Sequence, residues 1–134
     1  MCSVLCIIKF NNMNTLLWIL QGLIAGVFLY SGITKTILSE QTLVTSLGQT
    51  GVKGLPMGLT RFIGISEILG AFGMILPMLL KIDPVLTPIA AICFAIIMVP
   101  AGIIHYRLHE KRNVLDNFIL FLICLFIALG RMLH

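Results

Sequence analysis

Charge is scarce in this sequence, and that scarcity excludes most soluble folds. Only 10% of its 134 residues are Asp, Glu, Lys or Arg, against 59% hydrophobic. None of those four types occurs between Lys9 and Lys35, between Asp83 and Arg107, or between Asp116 and Arg131. A soluble domain of this length sets charged residues on the outer face of every helix. A mean hydropathy of +1.09 leaves no room for such faces, so the solvent is lipid. Also missing are a phosphate-binding glycine loop, a dinucleotide fingerprint, a nucleophile elbow and a cysteine or histidine set at zinc spacing. The soluble enzyme classes that depend on those motifs go with them.

The net charge of +4 comes from nine basic and five acidic residues. The basic residues stand singly between apolar spans, with no aromatic interleaving, which speaks for membrane anchoring and against nucleic acid as a partner. Four cysteines are present, Cys2, Cys6, Cys93 and Cys124, with no CxxC and no disulfide framework. Cys93 and Cys124 are expected as small buried hydrophobes rather than a redox pair.

Four apolar segments remain, and they define an all-α fold: an integral membrane antiparallel four-helix bundle. Helices are expected at about 15–37, 59–80, 85–107 and 114–131, forming a single domain over 14–134 behind an N-terminal extension, 1–13. Met13 is an alternative start to Met1. Lys9 precedes an apolar run of about 19 residues with no small-residue cleavage site, so the first segment reads as a retained helix, not a signal peptide. Gly22 and Gly26 form a GxxxG, and Gly64, Gly70 and Ala71 add small residues to the second span; both sets are expected at helix-packing faces. The long first connection opens with Ser39-Glu40, carries Leu43, Val44 and Leu47, and continues through Gly48, Gly51, Gly54 and Pro56. That pattern predicts a short interfacial helix and then a flexible turn. Asp116 and Asn117 shorten the apolar part of the last span and call for a buried polar entrance or local thinning of the bilayer.

Lys35, Lys53, Arg61, Arg107, Lys111 and Arg112 fall on one side of such a bundle, and Lys9, Lys81 and Arg131 on the other. The excess places the first and third connections in the cytoplasm and both termini outside.

Glu67 is the most informative residue. A carboxylate within a spanning helix costs several kcal/mol unless it is paired or reaches water. Its helical face holds Thr60, Ile63, Gly64, Gly70, Ala71 and Met74, so it is expected to point into the bundle. Antiparallel threading gathers Lys35, Arg61, Glu67, His105, Tyr106, Arg107, Asp116 and Asn117 at the same end. Two readings follow: a polar pocket, with Glu67 bonded by Lys35 or Arg61 and His105 able to move protons, or a structural ion pair fixing helix register. His105 and His109 stand four apart but lack a third ligand, so no metal site is assigned and His109 reads as part of a solvated loop.

The runs GVFLYSGITK (Gly26 to Lys35), TRFIGISEILGAFGMILP (Thr60 to Pro77), PAGIIHYR (Pro100 to Arg107) and ALGR (Ala128 to Arg131), in this order, resemble the DoxX-like family of small four-helix membrane proteins. The resemblance runs from about residue 14 onward. It implies a four-helix bundle in a bacterial cytoplasmic (inner) membrane. The wider family includes a membrane subunit of thiosulfate:quinone oxidoreductase and proteins associated with quinone or thiol-oxidant stress. Lys35, Arg61, Glu67 and His105 are the polar positions it carries over, without a catalytic assignment. The resulting expectation is a membrane partner or small subunit of a quinone- or thiol-linked redox system, needing no cofactor of its own but able to contact quinone. Its partners would be the lipid bilayer, a membrane or peripheral redox protein and a second copy of the chain. Small-molecule or proton-coupled transport and a non-catalytic assembly role are the rival expectations.

Overall fold

The computed structural model describes residues 2–46 and 49–133, with side chains from residue 11 onward. Leu47 and Gly48, and the side chains of Cys2, Cys6 and Lys9, lie outside the described residues. Five α-helices are described: α1 (Cys2–Ile37), α2 (Glu40–Thr45), α3 (Met57–Leu79), α4 (Leu86–Arg107) and α5 (Lys111–Leu133), with a 3-10 turn at Thr50–Val52. Among the described residues there is no strand.

Asn11–Ile37 of α1, and the whole of α3, α4 and α5, are long and apolar enough to cross a membrane. α1 runs without a break through the segment expected as an extension. The four long helices carry apolar side chains all round, and large ones such as Leu23, Phe62, Ile96 and Leu129 stand exposed on the exterior. In water so much outward apolar surface would drive association; facing lipid it is the expected finish of a bundle.

α1 packs most extensively on α3, and α4 on α5, so the bundle is two helical hairpins joined face to face. Gly32 and Gly64 allow the first contact. A Cβ on Gly32 would lie 2.5 Å from the Gly64 carbonyl oxygen, and one on Gly64 2.8 Å from that of Gly32. Gly22 and Gly26, expected at a packing face, meet nothing within 4 Å; the close approach belongs to Gly32 instead, further along the helix. Gly70 makes room for Phe94 of α4, and Ala71 is buried. The sealed core comprises Ile24, Phe28, Met74, Ala91, Phe94, Cys124 and Ile127 among others. Phe28 and Phe94 stack at its upper limit, ring centroids 3.7 Å apart and planes inclined by 6°. Cys93, expected buried, is exposed: it sits one position before Phe94 on the helix and so turns to the outer surface.

The interfacial helix after Ser39 forms as α2, although Ser39 Oγ pairs with Thr42 Oγ1 rather than capping a backbone N–H. α4 ends in a left-handed cap at His109 (φ 59°), where the His109 N–H donates to the Tyr106 carbonyl and the Glu110 N–H to the His105 carbonyl. This reversal folds Glu110 back over the end of α4.

Candidate functional site

A cavity of about 530 Å³ lies between the two hairpins, at the end of the bundle where the first and third connections meet. Its walls are mostly apolar: Val27, Phe28, Ile63, Ile97, Met98 and Leu120 contribute from all four long helices. The Phe28–Phe94 stack and the sealed core close it from below. The segment Gln49–Leu55 covers it from above, with Gln49, Gly51, Val52 and Leu55 in its lining and Val52 buried. Tyr30 and Phe62 line it too, yet 57% and 67% of their surface is exposed, so the cavity reaches the outer face of the bundle.

Two polar groups face this space. In the first, Lys35 Nζ on α1 donates to Glu67 Oε1 at 2.8 Å and Oε2 at 2.9 Å on α3, and to Ser31 Oγ one turn earlier. Glu67 is only 3% exposed, so its charge survives here because Lys35 is fully engaged with it. The Gly32–Gly64 contact holds α1 and α3 close enough for that bond. Gln49 stands within 3.4 Å of Ser31 Oγ, linking the covering segment to the pair.

The second group centres on Glu110. Its Oε2 accepts from Thr50 Oγ1 at 2.7 Å and Asn113 Nδ2 at 2.8 Å, and lies 2.7 Å from Nδ1 of the buried His105. These bonds, the Thr50 hydroxyl foremost and Asn113 next, hold the Glu110 carboxyl below the ordinary value of 4.5. Thr50 belongs to the covering segment, Asn113 to α5 and His105 to α4, so one carboxylate ties three elements together. Of Asp116 and Asn117, expected as a polar entrance to the last span, Asn117 is half-buried with its Nδ2 donating to the Asn113 carbonyl, and Asp116 is exposed.

Of the residues singled out in sequence, Lys35, Glu67, His105, Asp116 and Asn117 line the cavity. Arg61 does not: it is exposed, and Lys35 alone of the two bonds Glu67. Six residues before Glu67, Arg61 faces another side of α3. Tyr106 is 71% exposed and borders a separate shallow groove between α4 and α5. His109, at the left-handed position, is exposed. Glu110, Thr50, Asn113, Ser31 and Gln49 were not anticipated; nothing in their local sequence separates them from ordinary loop and helix polar residues.

The opposite end also holds more than its sequence promised. Arg131 is buried, donating through Nε to Gln21 Oε1 at 2.6 Å and through Nη1 to Asn14 Oδ1 at 2.7 Å, with its guanidinium 5.2 Å from the Trp18 ring. Gln21 Nε2 in turn donates to the Met74 carbonyl, so α1, α3 and α5 are pinned together there. The pairing of Gln21 with Arg131 spans almost the whole chain and has no local signature. No group of three or more His, Cys, Asp or Glu side chains suited to a metal occurs among the described residues.

The architecture is that of a small multi-pass membrane protein, four apolar helices enclosing a cavity with a polar end. The chain belongs to the DoxX-like family, whose profile matches residues 19–127. No curated protein and no solved structure was found to match it.

Proposed function

We propose that this protein is a membrane partner or small subunit of a redox system of the inner membrane, and that its cavity receives a quinone ring. The observation that carries the reading is the cavity: apolar walls, a few polar groups at one end, and an opening past Tyr30 and Phe62 toward lipid. Quinone sites have that composition, since a flat apolar ring needs polar contacts only at its two oxygens. Glu67, His105 and Asn117 are the polar groups assigned to ligand contact, with Lys35 holding the Glu67 carboxylate in place. Neither Cys93 nor Cys124 lines the cavity, which favours quinone over thiol chemistry within that system. Transport is less well supported, because among the described residues the buried cluster of Phe94, Met74, Ala91 and Ile127 lies beyond Phe28 in the cavity wall.

Purification in mild detergent followed by lipid extraction tests the proposal. About one quinone per chain is expected, falling severalfold in Glu67→Gln while the protein stays monodisperse. Absence of quinone from the wild type, together with no quinone-dependent redox phenotype on deletion, would overturn it.

A further inference from the structure

The segment that covers the cavity is held to the bundle by side chains and not by its backbone. The Val52 N–H donates to the Gln49 carbonyl, that of Lys53 to Thr50 and that of Leu55 to Val52, so these bonds close within Gln49–Leu55. Among the described residues, no backbone hydrogen bond joins the segment to a spanning helix. Its attachments are the Thr50 hydroxyl on Glu110 Oε2 at 2.7 Å, the Asn113 amide on Thr50 at 3.4 Å, the Gln49 contact with Ser31 and the burial of Val52.

The segment also has a pivot. Gly54 stands at φ 80°, and a Cβ there would meet nothing within 4 Å, so the chain can turn at this point without striking the bundle. Closer to the cavity the fit is tight. A Cβ on Gly51 would come within 3.2 Å of the His105 ring and 3.9 Å of Ile104 Cγ2, which places both side chains directly beneath the cover. The Glu110 side chain, 28% exposed, lies within reach of water, whereas Glu67 is buried. Opening would expose Val52 and Leu55 at an apolar cost, but it would also return solvent to the Lys35–Glu67 pair, and the regained hydration of two charges offsets that cost.

We propose that Gln49–Leu55 is a gate over an aqueous entrance to the cavity, pivoting at Gly54 and latched by Thr50 on Glu110. The cavity then has two entrances of opposite character. The lateral one, past Tyr30 and Phe62, admits an apolar ligand from lipid, and the gated one admits small water-borne reactants to the polar end. The inference goes beyond the quinone reading and rests only on the cavity and its cover, so it stands or falls independently of which molecule is bound.

Thiol labelling of the full chain in lipid nanodiscs tests it, with a methanethiosulfonate reagent bearing a quaternary ammonium group. Such a fixed charge keeps the reagent out of the hydrocarbon, so labelling reports the aqueous route. Ile104→Cys sets the target under Gly51, and Cys2, Cys6 and Cys93 are replaced by Ser. Native Cys124, fully buried in the core, reports whether the bundle itself has loosened. Thr50→Val removes the latch hydroxyl at nearly constant volume and should raise the labelling rate at position 104 about tenfold, the size of one hydrogen bond to a charged group, with Cys124 unlabelled. Glu110→Gln weakens the same latch from the bundle side and should raise the rate severalfold. Rates at position 104 that agree within about twofold in all backgrounds would overturn the gate. So would a rise accompanied by labelling of Cys124, which would make the Thr50–Glu110 bond a brace of the whole bundle.

Discussion

Glu67 and Lys35 are each tolerable in this bundle only because of the other. Removing one partner strands a charge in a site of low polarity, which costs about 3–5 kcal/mol, whereas removing both abolishes the desolvation cost together with the attraction. Glu67→Ala and Lys35→Ala should each lower stability by about 3 kcal/mol, and the double variant by clearly less than the sum, read from denaturant unfolding in mixed micelles. Glu110 adds a pH dependence of definite sign. Its carboxyl titrates lower in the folded protein than in the unfolded chain, so its contribution is complete above the ordinary value of 4.5 and is lost as pH falls through the lower folded value. Unfolding midpoints should decline in that acid window, and less steeply in Glu110→Gln.

At the scale of the helices, two glycine pairs have opposite roles. Gly32 and Gly64 bring two backbones together, and an added methyl at Gly32 meets a carbonyl oxygen of α3, which cannot swing aside as a side chain can. Gly32→Ala should therefore destabilise by about 1–3 kcal/mol, and by separating α1 from α3 should also weaken the Lys35–Glu67 pair. Gly22→Ala and Gly26→Ala add a methyl where nothing lies within 4 Å, so their effect on unfolding should stay within about 0.5 kcal/mol. α2 and the following turn form a cover that buries Leu43 and Val52 and is tied down by side chains, through Gln49 to Ser31 and through Thr50 to Glu110.

Across the whole molecule, the two ends differ in kind. One holds a cavity with two ionisable clusters; the other is pinned shut by Arg131, Gln21 and Asn14. If the basic-residue excess sets orientation, the cavity end faces the cytoplasm. Single-cysteine labelling with a membrane-impermeant maleimide checks this: Lys81→Cys should label in intact cells and Lys53→Cys only after permeabilisation, with the reverse pattern inverting the assignment.

The four spans, their approximate limits and the inward face of α3 were legible in the sequence. Chain length, apolar runs and helical period are local properties, and lipid leaves the backbone no alternative to a helix. The identity of the buried acid was legible for the same reason, since a lone Glu in an apolar helix stands out wherever it points. Its partner was not. Lys35 and Arg61 both fall near the right depth, and choosing Lys35 depends on the rotation of α1 against α3, which Gly32 and Gly64 set together. Nor could local sequence assign the Thr50–Glu110–His105–Asn113 cluster or the Gln21–Arg131 bond, because each joins residues from separate helices or connections. Sequence by itself determined that the chain crosses a membrane four times with a carboxylate inside. Only the tertiary packing of the two hairpins decided that this carboxylate faces a cavity, and which side chains share it.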